Sequence, residues 1–160
     1  MLTYESSTTI NAPVEAVWRV LSDVGQWPQW LPTVSRVEPL DRESLRLGSR
    51  FVVHQPGLRP ASWTVSEVDE PRRFVWVARS PGLQMVAEHD VTQDSPATSR
   101  VVLRFSFGGP LGGIIGRIFR NVTESYLAQE ATSLKQRVES SAMPADIRRR
   151  VWPDRGADSL

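Results

Sequence analysis

Alternating apolar and polar positions divide the chain into an opening strand, a short helical stretch, a long β region and a closing helix. Residues 3–10 alternate weakly and predict a first strand. Asn11-Ala12-Pro13 then carries helix-start chemistry, with a polar residue in the capping position. The proline's missing N–H costs nothing in a first turn. Val14, Val17, Trp18 and Leu21 recur at i, i+3, i+4 and i+7, one buried stripe of an amphipathic helix. Gly25 stands where a left-handed residue closes a helix. Residues 26–31, which hold Trp27-Pro28-Gln29-Trp30, predict a second short helical turn.

From residue 34 to residue 107 the period is two. Strands are expected near 34–40, 49–55, 61–69, 73–79, 83–92 and 100–107. Turn chemistry separates them: Gly48, Pro56-Gly57, Glu70-Pro71, Pro81-Gly82 and Asp94-Ser95-Pro96. Phe74, Trp76 and Ala78 share a face, as do Met85, Ala87 and His89, and Val101, Leu103, Phe105 and Phe107. Arg79, Gln84, Glu88, Asp90 and Arg104 fall on the other side. A sheet with one wet face is antiparallel and packs something against its dry one.

The closing segment supplies that something. After the glycine-rich residues 108–113, a helical pattern runs to about Ser140, with Ile115, Phe119, Val122, Tyr126, Ala131, Leu134 and Val138 on one side. One helix of about 25 residues would span roughly 37 Å, enough to cross a whole sheet. The expected fold class is α+β, a curved antiparallel seven-stranded sheet around a long C-terminal helix. Residues 1–143 are expected to form a single domain. Residues 144–160, with Arg148-Arg149-Arg150, lose periodicity and predict a poorly ordered tail.

Composition narrows the class of function. Hydrophobic residues at 40% and charged residues at 23% are those of a globular domain and exclude a mostly disordered chain. With no cysteine, disulfides and thiolate chemistry are excluded. A net charge of +1 argues against a nucleic-acid partner, although all but one of the nineteen basic residues are arginines. That skew is read as coding bias. No apolar run is long enough to span a membrane and no leader is visible at Met1, so a cytoplasmic location is expected. Six tryptophans, three of them within the first 30 residues, make aromatic content the unusual feature.

The motif INAPVEAVWRVLSDVGQWPQW resembles the opening of the helix-grip superfamily, the START-like or SRPBCC group. The later segment GPLGGIIGRIFRNVTESYLAQEATSLKQRVE is similar to the closing helix of its polyketide cyclase/dehydrase branch. The resemblance covers about residues 3–140. It implies a ligand cavity between sheet and long helix in a family of which only some members are enzymes.

Where the period-two faces meet the helix stripe, Phe51, Val53, Trp63, Phe74, Trp76, Met85, Ala87, Leu103 and Phe105 are expected to form the inner wall. Ile115, Phe119, Val122 and Tyr126 should face them, with Trp30 bordering the mouth. His89 is the one imidazole on the inner face, where it either packs in the core or orients a substrate hydroxyl and moves a proton. Tyr126 and Glu130, one helical turn apart, could meet it from the opposite wall. His89, Tyr126 and Glu130 are therefore the candidate catalytic residues. His54 should face outward and has no assigned role.

Other signatures fail. The glycines at 108–116 form neither a G-x-x-x-x-G-K-[ST] nor a G-x-G-x-x-G loop and follow an antiparallel meander. They are read as a close-packing, mobile rim, with residues 110–119 as an apolar lid. There is no H-E-x-x-H and no G-x-S-x-G. No metal or cofactor is expected. The sequon Asn121-Val122-Thr123 lies mid-helix, and Glu67, Asp69 and Glu70 surround a solvated turn.

Binding of a hydrophobic or aromatic small molecule, of lipid, polyketide or isoprenoid class, is therefore the first functional expectation. The alternative is a polyketide cyclase/dehydratase-type enzyme that uses a few polar cavity residues for proton transfer. A third possibility is an interaction protein whose cavity is filled by its own side chains. Neither the ligand nor the oligomeric state follows from the sequence.

Overall fold

The structure is a computed structural model that describes residues 1–142. The tail expected over 144–160 lies outside the described residues. Strand β1 (Leu2–Ile10) is followed by helix α1 (Val14–Leu21), a 3₁₀ turn (Val24–Gln26) and a one-turn helix α2 (Trp27–Trp30). Then come β2 (Arg36–Pro39), β3 (Arg50–His54), β4 (Ala61–Asp69), β5 (Arg73–Ser80), β6 (Leu83–Ser95) and β7 (Thr98–Gly108). Helices α3 (Gly112–Ile118) and α4 (Arg120–Ala142) end the described chain. The seven strands form one antiparallel sheet in the order β1-β7-β6-β5-β4-β3-β2, the α+β helix-grip architecture.

Pleat and helix period decide what is buried. Phe51, Trp63, Val65, Phe74, Trp76, Val91, Val101 and Leu103 project from the inner face. Leu127, Ala131, Leu134 and Val138, at i, i+4, i+7 and i+11 of α4, cover them, joined by Val14, Val17, Trp18 and Leu21 of α1. The outer face is ionic: Arg73 pairs with Glu67, Glu88 and Asp90, and Arg104 pairs with Glu5 and Asp90.

Four local expectations are corrected. Instead of one closing helix there are two, because Phe119, at φ −92° and ψ 12°, leaves helical geometry and re-aims the chain. Asn11 does not cap α1 with its side chain, and Pro13 stands at the cap position. The Val14 N–H finds Gln93 Oε1 at 3.2 Å, while the Asn11 N–H donates to Glu139 Oε1 at 2.9 Å. Gly25 closes no helix, since α1 ends in right-handed geometry at Ser22 and Gly25 lies inside the 3₁₀ turn. Strand β6 runs on to Ser95 because a ladder irregularity between Gln93 and Ser95 lets pairing continue to Thr98.

Glu139 ties the end of α4 to the start of α1. Burial pushes its carboxyl up, but hydrogen bonds from Lys135 Nζ at 2.7 Å and the Asn11 N–H outweigh this and hold it below the usual carboxylate range. Lys135 Nζ also donates to the Thr9 carbonyl at 2.7 Å, so the helix is clamped to β1 at this end. At its other end α4 stands off the sheet.

Candidate functional site

That separation leaves a cavity of about 680 Å³ between the inner face of β3–β7 and helices α3 and α4. The volume suits an organic ligand of drug-like size. Aromatic rings form much of the wall: Trp27, Trp63, Trp76, Phe105, Phe107 and Phe119. They interlock, with Trp63 and Trp76 at 5.6 Å, Trp27 and Trp76 at 5.4 Å, and Trp63 and Phe105 edge-to-face at 5.8 Å between ring centroids.

His89 provides the wall's buried nitrogen chemistry. It lies on β6 opposite Phe74 of β5 and Leu103 of β7, which turns its side chain inward. The imidazole stacks on the Phe74 ring at 4.0 Å and 11°, with Trp27 and Trp76 each 5.9 Å away. Nδ1 faces the Phe74 carbonyl at 3.4 Å, and Nε2 faces Glu130 Oε1 at 3.4 Å. A carbonyl only accepts, so the partners assign the proton to Nδ1 in a neutral ring, leaving Nε2 as an acceptor toward the carboxyl. Glu130 Oε1 is itself buried and makes no hydrogen bond among the described residues. The pair can therefore hold, donate or accept a proton at the cavity wall.

The other expected residues separate into three groups. Val53, Trp63, Trp76, Met85, Ala87, Leu103, Phe105, Ile115, Phe119, Val122, Tyr126 and Glu130 line the cavity with His89. Phe51 and Phe74 do not line it: they sit behind the wall, 1% and 0% exposed, as packing for Trp76 and His89. Trp30 is also absent from the mouth. It borders a second recess with Ala16, Arg19, Val20, Gln26 and Arg137, and Trp27 takes its place at the cavity. The short helix turns Trp27 inward, where its Nε1–H donates to the Leu21 carbonyl at 3.0 Å.

Tyr126 does not join His89. Its hydroxyl donates to the Pro56 carbonyl at 2.5 Å and anchors the β3–β4 loop over the cavity. Tyr126→Phe should remove a contact worth about 1 kcal/mol. Amide hydrogen exchange should then rise in residues 55–60 but not in β6 or β7. Unchanged exchange in the loop would dissociate Tyr126 from its position.

Trp27, Val34, Gln55, Leu58, Leu83, Phe107, Thr123 and Leu127 also line the cavity, outside the expected wall. Thr123, Leu127 and Glu130 follow one another at i, i+4 and i+7 and could have been read as one helical face. The loop residues Gln55 and Leu58 carry no such period. His54 points away, with Nε2 3.5 Å from Glu38 on the neighbouring strand. Among the described residues no group of three His, Cys, Asp or Glu side chains could hold a metal ion.

Residues 1–139 match the model of the family described as polyketide cyclase / dehydrase and lipid transport. The chain belongs to this family. Solved structures share its fold. The Zhui aromatase/cyclase from Streptomyces sp. R1128 aligns with a TM-score of 0.71 and 20% identity, over 98% of this chain and 99% of that one. Norcoclaurine synthase from Thalictrum flavum, solved with dopamine and hydroxybenzaldehyde, gives 0.71 and 14% over 89% of each chain. The di-domain aromatase/cyclase BexL, from the BE-7585A biosynthetic pathway, gives 0.66 and 23% over 90% of this chain. This chain spans only 48% of BexL. Identities this low speak for the fold alone. No curated protein matches the sequence.

Proposed function

We propose that the chain binds a mainly apolar, ring-bearing small molecule, of lipid, polyketide or isoprenoid class, in the cavity between the sheet and helices α3 and α4. One observation carries this reading: an aromatic-walled cavity of about 680 Å³ in which the buried His89 imidazole meets the partly exposed Glu130 carboxyl. Apolar walls favour a hydrophobic body, and a few placed polar groups fix its orientation. The ligand therefore carries a hydroxyl or carbonyl oxygen, set against His89 Nε2 or Glu130. Membership of the polyketide cyclase / dehydrase and lipid transport family supports that class of ligand.

A second reading follows from the same pair. An imidazole and a carboxyl 3.4 Å apart beside a bound β-ketone could move a proton in enolisation, aldol closure or dehydration. The two readings separate by experiment. In a binder, His89→Ala and Glu130→Gln shift affinity for 2-naphthol by about 1 kcal/mol each, the net value of a hydrogen bond. In an enzyme, either change lowers turnover of a β-ketone substrate by about 10²–10⁴-fold with little change in binding. Neither effect in either variant would remove the pair from function.

A further inference from the structure

Helix α3 buries one side and exposes the other. Gly112 and Gly116 face inward, so close to Phe107 and Leu2 that an added Cβ would meet them at 2.9 and 2.7 Å. Leu111, Ile114 and Ile118, at i, i+3 and i+7, project outward with 45%, 60% and 69% of their surface exposed, and Phe119 adds 38%. Four large apolar side chains on one turn-and-helix segment are an exposed patch of the kind that marks an interaction surface.

Charge identifies the partner. Arg117 and Arg120 flank the patch, and Arg59 and Arg79 stand at the cavity lining on the loop and strand end beside it. The segments 55–60, 79–87 and 105–123 contain no Asp or Glu. The first acid beyond them on α4, Glu124, is paired with Arg120 at 3.3 Å. The β5–β6 turn joins this surface through the Leu111 N–H, which donates to the Gly82 carbonyl at 2.9 Å. An apolar ridge flanked by Arg117 and Arg120, with Arg59 and Arg79 nearby and Glu124 engaged by Arg120, matches the interface of an anionic bilayer, which takes up apolar side chains and attracts arginines. A helix of seven residues is too short to span, so it would lie at the surface.

We propose that α3, through Leu111, Ile114, Ile118 and Phe119 with Arg117 and Arg120, docks this protein on the surface of an anionic lipid bilayer. Ile115 and Phe119 also line the cavity, so docking would set its rim against the lipid. This surface stands independently of what the cavity binds.

Co-sedimentation of the full chain with vesicles tests it. Binding is expected to vesicles of equal phosphatidylcholine and phosphatidylglycerol, to weaken with added salt, and to fall away on pure phosphatidylcholine. Ile114→Ser with Ile118→Ser should weaken binding by about tenfold or more. Arg117→Gln and Arg120→Gln should each weaken it by about fivefold. These side chains lie at the surface, and unchanged thermal unfolding verifies that the variants fold. No binding to the mixed vesicles, or binding insensitive to salt and to all four substitutions, overturns the proposal. A dimer that the isoleucine variants dissociate, with no vesicle binding, would assign the patch to a second copy and overturn it equally.

Discussion

Replacing Trp76 with alanine should destabilise the protein by about 3–5 kcal/mol, among the larger costs of a single core truncation. Trp76 is only 3% exposed and is the hub of the aromatic wall. Its ring lies 5.4 Å from Trp27, 5.6 Å from both Trp63 and Phe74, and 6.2 Å from Phe51. Four rings from α2, β3, β4 and β5 thus lose a common partner, and none can fill the space without leaving its own contacts. Urea unfolding followed by circular dichroism should show the midpoint falling with little change in slope. A cost below about 1 kcal/mol would mean that the wall rearranges freely and is not a preformed surface.

Gly109→Val should cost about 2–4 kcal/mol by a different route. Gly109 has φ +81°, a conformation that a β-branched residue adopts only with strain. A Cβ built there would stand 2.7 Å from the Gly82 carbonyl oxygen, which is backbone and cannot swing away. That oxygen accepts the Leu111 N–H, so the clash falls on the contact that seats α3. Thermal unfolding should reveal the loss, and exchange should accelerate through residues 109–118. Substitution at Gly113, where the nearest atom is the flexible Arg117 tip at 3.4 Å, serves as the tolerant control. Equal effects at both positions would refute the seating role of Gly109.

The contrast between these glycines shows what a sequence makes legible. Period two along β3–β7 assigns Trp63, Trp76, Ala87 and His89 to the inner face, because the pleat alternates whatever the sheet's curvature. It cannot say which inward residues reach a cavity and which lie behind it. Phe51 and Phe74 have the same inward register as Val53 and Trp76, yet Trp76 covers Phe51, and Trp18 and Trp27 pack against Phe74. The His89–Glu130 approach was visible as two residues on facing walls. The diversion of Tyr126 to Pro56 was not, since it depends on a loop path no period encodes. Similarly, the break at Phe119 lies within an unbroken apolar stripe, and only the docking of Gly112 and Gly116 on β7 and β1 sets the direction of α3. Trp27 and Trp30 could not be told apart by sequence, because a one-turn helix has no period long enough to fix a face.

The central claim is that the space between sheet and helices accepts an apolar ring. Titration calorimetry with 2-naphthol tests it directly, comparing the full chain with Ala87→Phe. Ala87 lines the cavity between Trp76 and Phe105 in the strand register, so a phenyl group there would occupy the ligand's volume. The expected result is one saturable site in the wild-type protein, with a Kd on the order of 100 µM. In a folded Ala87→Phe variant the affinity should fall at least about tenfold. Absence of saturable binding to the wild type, or equal affinity in both proteins, would contradict the account.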